Sequence, residues 1–230
     1  MWLKDSSIGR KLVMSISGLA LVFFLIFHGC MNLALVFSEE TYNTICRLLG
    51  ANWYALIGTL GLAFLVFLHF SYGIYLTIQN RAARGNDKYA VRGKKEGVEW
   101  ASENMLVLGF VVIGFIVLHL YNFWYKMQFA EIIGVQTGMF DPLNGAAFVK
   151  ALFTTKISGQ IYCGLYLVWL VALWFHLNHG VWSAMHTMGL NNLKWEKRTK
   201  VLGCVIATIA VLPFAVVVFY YLGMGIGALV

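Results

Sequence analysis

Apolar residues run along this chain in five long blocks separated by shorter polar stretches. A hydrocarbon core of about 30 Å needs about 20 apolar residues to cross it. On that measure the blocks predict helices near 12–37, 54–80, 104–125, 158–188 and 203–226. The expected fold class is all-α, an integral membrane bundle of five transmembrane helices. Five crossings put the termini on opposite sides. The first span is too long for a cleavable signal peptide, has no small-residue cleavage site and carries His28 and Asn32, so it is expected to remain in the mature protein. The third loop, FAEIIGVQTGMFDPLNGAAFVKALFTTK, carries turn signals at Gly138, Asp141-Pro142 and Asn144-Gly145 and is expected to cap the outer face. With two prolines and no low-complexity tract, residues 1–230 are expected to form a single transmembrane domain.

Composition agrees: 60% of the 230 residues are hydrophobic, against about 45–50% in ordinary globular domains. Cys30, Cys46, Cys163 and Cys204 stand singly without CxxC spacing and read as small core residues. The net charge of +7 has no soluble domain to present it, so nucleic acid is not an expected partner. Of the 17 Lys and Arg residues, 13 lie in the N-terminus (Lys4, Arg10, Lys11), the second loop (Arg81, Arg84, Lys88, Arg92, Lys94, Lys95) and the fourth loop (Lys194, Lys197, Arg198, Lys200). Loops rich in Lys and Arg stay cytoplasmic, so the N-terminus is expected inside and the C-terminus outside. The basic inner face suits anionic membrane lipid and the docking of a soluble partner equally.

The chemistry lies in the histidines. The first three spans each hold one (His28, His69, His119), and the fourth holds His176, His179 and His186. An ionisable group in lipid is expensive, which makes it a functional candidate. Helix rise separates them by depth. His28 lies 17 residues after Lys11 and 11 before Glu39, roughly 25 Å and 16 Å along the helix. His119, seven residues before Lys126, also lies toward the outer side. His69 is 16 residues after Trp53 and 12 before Arg81, roughly 24 Å and 18 Å. His176 is 20 residues after Lys156, about 30 Å, and also belongs to the inner half. Two pairs at two depths, each drawn from two helices, are what two bis-imidazole haems b require. With both axial positions filled, such haems carry electrons and leave no open site for substrate. Gly73 and Gly180 each follow a histidine at i+4 and would let a porphyrin edge approach, though glycine also serves helix packing.

SISGLALVFFLIFH (Ser15–His28) resembles the S-x-x-G, then histidine ten residues after the glycine, of the single-chain, five-helix, di-haem cytochrome b membrane anchor of succinate dehydrogenase and fumarate reductase. His69, His119 and HLNHGVWSAMHTMG from His176 complete an ordered set similar to that family across essentially the whole chain. The resemblance implies His28 and His119 as axial ligands of the outer haem and His69 and His176 of the inner one. It places Ser15 near a propionate of the inner haem, and a quinone, usually menaquinone, at the outer haem. FAD and iron–sulfur clusters are implied only in two soluble partners, a flavoprotein and an iron–sulfur subunit on the cytoplasmic face. The implied setting is the inner membrane of a bacterium, in a complex that could pair as a dimer. Two departures stand out. A glutamate that some members carry two residues before the fourth-helix ligand is Trp174 here, and the acid expected at the outer quinone pocket has only Glu39 and Glu40 as candidates beside the first span, of which Glu39 is preferred; Glu131 and Asp141 lie in the third loop.

Two other readings compete. One is the haem b subunit of another quinone-linked complex, of formate dehydrogenase or hydrogenase type. The other is a transporter with a histidine proton relay, which lacks the expected carboxylates, since no Asp or Glu falls deep inside a span. Neither the direction of the reaction, succinate oxidation or fumarate reduction, nor proton coupling is legible.

Overall fold

The computed structural model describes residues 6–84, 100–190 and 194–227. Lys4, Lys88, Arg92, Lys94 and Lys95, counted above toward the basic inner face, lie outside the described residues. The described chain is all-α: α1 (Ser7–Phe37), α2 (Glu39–Leu48), α3 (Trp53–Arg84), α4 (Trp100–Glu103), α5 (Met105–His119), a π-helical turn (Leu120–Trp124), α6 (Gln128–Ile133), α7 (Gly145–Thr154), α8 (Lys156–Thr187) and α9 (Glu196–Gly227). Five helices are long and apolar enough to cross a membrane: α1, α3, α5 with its π turn, α8 and α9. The first and last begin five and seven residues before the apolar blocks do. Helical hydrogen bonding does not stop where hydropathy falls, and Ser6 caps α1 by accepting from the Gly9 N–H at 2.9 Å.

The core lies along α1, α8 and α9. Val22, Leu35, Cys163, Leu170, Leu173, Leu177, Val181, Ala207, Ala210, Val217, Val218 and Tyr221 are buried there. Small residues permit these contacts. A Cβ at Gly203 would lie 3.1 Å from the Asn178 carbonyl oxygen, and one at Gly29 would lie 3.2 Å from Cβ of Pro213. Pro213 sits inside α9, where a neighbouring helix tolerates its missing N–H. By contrast, no residue of α3 is buried among those described. Outward phenylalanines such as Phe23, Phe64 and Phe67 suit a lipid surroundings.

The first and third loops are structured. Asn43 accepts from Ala146 N–H at 2.9 Å and donates to Asn144 at 2.9 Å, and Lys150 pairs with Glu39 at 3.2 Å, joining α2 to α7. Gln128 is buried: its Oε1 accepts from Thr59 and from the Trp124 indole, both at 2.9 Å, and its amide donates to Gly50 at 2.9 Å. Burying this side chain costs little because its amide is satisfied on both sides. The third loop thus packs over the same end of the bundle as the first.

Candidate functional site

His69 on α3 and His176 on α8 face each other with ring centroids 6.2 Å apart and planes inclined by 70°. Neighbouring α1 shapes the His69 side. Ser17 Oγ lies 3.3 Å from His69 Nδ1 and donates to the Met14 carbonyl at 3.1 Å. A Cβ at the next residue, Gly18, would sit 2.9 Å from Cε1 of His69, so the ring occupies the space that a glycine leaves. On α5, a Cβ at Gly109 would lie 4.0 Å from Cε1 of His176. The two glycines singled out in the sequence differ in surroundings: Gly73 meets the tip of Met14, and Gly180 meets open space.

The second pair is His28 on α1 and His119 at the end of α5, with centroids 5.9 Å apart and planes at 88°. Phe24, one turn before His28, stacks on it at 5.3 Å, and Phe214 of α9 approaches to 5.5 Å. His119 sits among Phe123, Tyr166 and Trp169 at 5.1, 6.4 and 6.0 Å. Phe115 lies stacked on Trp169 at 5.6 Å. Just beyond His119 the backbone bonds Tyr125 N–H to the Leu120 carbonyl at 2.8 Å, the five-residue spacing of a π turn. Asn122, buried on this turn, donates to the Tyr166 hydroxyl at 3.3 Å.

The remaining candidates are placed as follows. Ser15 is buried, but the hydroxyl that reaches His69 is that of Ser17. Glu39 stands exposed at the start of α2, paired with Lys150. The Asn32 amide is engaged by its own helix, donating to the His28 carbonyl at 2.8 Å. His179 packs on Trp182 at 5.2 Å, and His186 is exposed at the end of α8. Trp174, where some resembling chains have glutamate, donates its indole N–H to Thr208 of α9 at 3.0 Å. Gly18 entered the sequence reading only as the motif glycine, and Ser17, Trp169 and Tyr166 were not singled out there. Their signals were available: Ser17 and Gly18 lie inside the SISG motif, and Trp169 precedes His176 by seven residues, which returns it to the same helix face.

The pairs suit an axially ligated metal. An imidazole–metal–imidazole unit, with nitrogens about 2 Å from the metal and ring centres roughly 1 Å beyond, spans about 6 Å between centroids. Nδ1 of His119 and of His176 is buried without a hydrogen-bond partner. Among the described residues no three of His, Cys, Asp and Glu converge, and each facing pair brings together two imidazoles. Donors for carboxylates stand nearby: Arg10 Nε, on the face of α1 that carries Ser17, and Trp169 Nε1 are both buried without an acceptor.

Residues 11–118 match the family model of the succinate dehydrogenase/fumarate reductase transmembrane subunit. The matched stretch, just under half of the chain, runs from the start of α1 to the residue before His119 and includes His28 and His69. No curated protein and no solved structure matches.

Proposed function

Taking this chain as a succinate dehydrogenase/fumarate reductase transmembrane subunit, we propose that it is the di-haem anchor of a succinate:quinone oxidoreductase, passing electrons between an iron–sulfur subunit and membrane quinone. The observation that carries this reading is the pair of facing histidine couples, His69–His176 and His28–His119, drawn from four different helices. His69 and His176 hold the inner haem b, and His28 and His119 the outer one. When bound, each haem supplies one-electron transfer with no free coordination position.

The chain's own residues do the rest. Four helices fix the imidazoles, so ligand geometry changes little between oxidation states. The stacked Phe115 and Trp169 lie between the two levels: Phe115 is one turn inward of His119, and Trp169 is two turns, about 10 Å, outward of His176. They keep water out of the path. Arg10 and Trp169 donate to propionate carboxylates, Arg10 at the cytoplasmic end of the inner site. Quinone, read as menaquinone, binds near the outer pair, where Tyr166 and Asn122 place polar groups inside an apolar wall; Glu39 is the carboxylate nearest that rim in sequence. The flavoprotein and iron–sulfur subunit dock on the basic face. The 13-of-17 distribution of Lys and Arg supports a cytoplasmic N-terminus, and the membrane of this reading is a bacterial inner membrane.

The test is purification of the tagged chain from its native membrane. Two low-spin b haems per chain, with a flavoprotein and an iron–sulfur protein co-purifying and succinate or fumarate activity in the eluate, are expected. One haem, a high-spin resting spectrum or a formate- or hydrogen-linked partner would refute the assignment.

A further inference from the structure

We propose that Ser17 is the positioning residue of the inner site: it fixes the tautomer of His69 and sets the redox poise of the metal that His69 holds. The inference rests on the haem reading above and deepens it.

A serine hydroxyl has a single proton and two lone pairs. Ser17 directs its proton to the Met14 carbonyl, 3.1 Å away on its own helix. What remains for His69 Nδ1, at 3.3 Å, is a lone pair, so Nδ1 must carry the ring proton and donate it to Oγ. Nε2 is then the unprotonated nitrogen, and it alone can ligate. Ser17 is 2% exposed, and the Met14 carbonyl that takes its proton also lies within hydrogen-bonding reach of His69, a second acceptor that likewise calls for a protonated Nδ1. Gly18 completes the clamp: its missing side chain lets the ring lie against α1, and a Cβ there would meet Cε1 at 2.9 Å. Ser17 and Gly18 therefore hold one imidazole from two directions.

His176 has no such support. Its Nδ1 is buried without a partner, and the nearest glycine across from it, Gly109, is at ordinary contact distance. The inner pair is thus asymmetric, with one ligand held and polarised and the other held by packing. Among the described residues His69 is the one member of the four whose ring meets a hydrogen-bonding side chain of a neighbouring helix. A ligand whose second nitrogen donates a hydrogen bond is a stronger electron donor. It favours the more oxidised metal and lowers the potential of that site.

The experiment is an optical redox titration of the full complex carrying Ser17→Ala, Ser17→Thr or Ser158→Ala, with electron paramagnetic resonance of the low-spin signals. Ser17→Ala should keep two haems and raise the potential of the inner one alone, by up to about 59 mV, the one-electron equivalent of a tenfold change in the oxidised-to-reduced affinity ratio. Ser17→Thr, which keeps the hydroxyl, should restore most of the shift. Ser158→Ala, an exposed serine at the opposite end of α8 whose hydroxyl also donates to a backbone carbonyl, that of Thr155, should leave both potentials alone. Loss of the inner haem in Ser17→Ala with its retention in Ser17→Thr would equally support the role. Two bound haems with unchanged potentials in Ser17→Ala, or equal shifts in Ser17→Ala and Ser158→Ala, would overturn it. An unmodified complex without haem would instead overturn the functional reading on which it rests.

Discussion

Replacing Gly18 with alanine separates the stability of α1 from the integrity of the inner site. A Cβ at position 18 would stand 2.9 Å from Cε1 of His69, whereas carbon–carbon contacts relax at about 3.5–4.0 Å. The ring must retreat by about half an ångström or more. Its contact with Ser17, at 3.3 Å already at the long end of hydrogen-bond geometry, is then lost if the ring moves away from α1. Ligand distances at a metal site tolerate about 0.2 Å, so the displacement exceeds the tolerance two- to threefold by the same measure. The helix itself gains, because alanine is favoured over glycine in a helix interior by about 1 kcal/mol. The expected result is undiminished chain in the membrane with the inner haem weakened or lost and the outer one intact. Pyridine haemochrome stoichiometry and the two low-spin resonance signals read this directly. Gly73→Ala, whose Cβ meets only the flexible tip of Met14 at 3.4 Å, and Gly109→Ala, at 4.0 Å from His176, are the controls. Full haem content with unperturbed signals in Gly18→Ala, or equal loss in Gly73→Ala, would refute the argument.

Three further outcomes are expected. His176→Ala should abolish the inner haem, while His179→Ala should at most shift its potential, since His179 packs on Trp182; haem loss confined to the His179 variant, read from the spectrum, would reverse the assignment. Glu39→Gln should lower quinone-linked turnover and leave dye-linked succinate or fumarate activity and both haems unchanged. Its ion pair with Lys150 is half-exposed on both sides and contributes about 1 kcal/mol at most, so a fall in turnover would not reflect unfolding, and an unchanged rate would remove Glu39 from the quinone site. A membrane-impermeant maleimide should label Asp141→Cys from outside the cell and Lys197→Cys only after lysis. Native Cys46 should contribute little background at neutral pH, because burial pushes its thiol up to about 11 and the reactive thiolate grows only as pH rises toward that value. Labelling of Lys197→Cys in intact cells would invert the topology.

The five spans and the two histidine pairs were legible because the signals are one-dimensional. An apolar block longer than a bilayer reads directly as a helix, and depth follows from counting residues between a histidine and the nearest polar marker. That count placed His28 with His119 and His69 with His176, and the same partners face each other in the fold. Rotation about the helix axis was less accessible. Which of Ser15 and Ser17 faces His69 depends on how α1 is turned against α3, a quantity that a uniformly apolar helix leaves without a stripe to read. Trp169 could be set on the face of His176 by its seven-residue spacing, whereas Tyr166 reads in sequence as one more aromatic in an apolar run. Helices α2 and α7 escaped notice for another reason: each is only ten residues long, and their stability comes from Asn43, Asn144 and the Glu39–Lys150 pair, contacts about a hundred residues apart in the chain.

The π turn after His119 was the least legible element and connects the site to its cap. In a continuous α-helix, residues 119, 123 and 126 would share one stripe, and the chain beyond His119 would keep facing the pair. The five-residue bond from Tyr125 to Leu120 inserts extra backbone there and changes the register. His119 can then face His28, while Asn122 turns to Tyr166 on α8 and Trp124 reaches Gln128. Gln128 in turn holds Thr59 of α3 and the Gly50 carbonyl before it. The outer ligand is thereby tied through a few backbone turns to the loop that starts the helix carrying His69. One irregular turn lets a straight apolar helix present a ligand inward at one level and lock the outer cap at the next, which a regular helix of the same sequence length would do at the expense of one contact or the other.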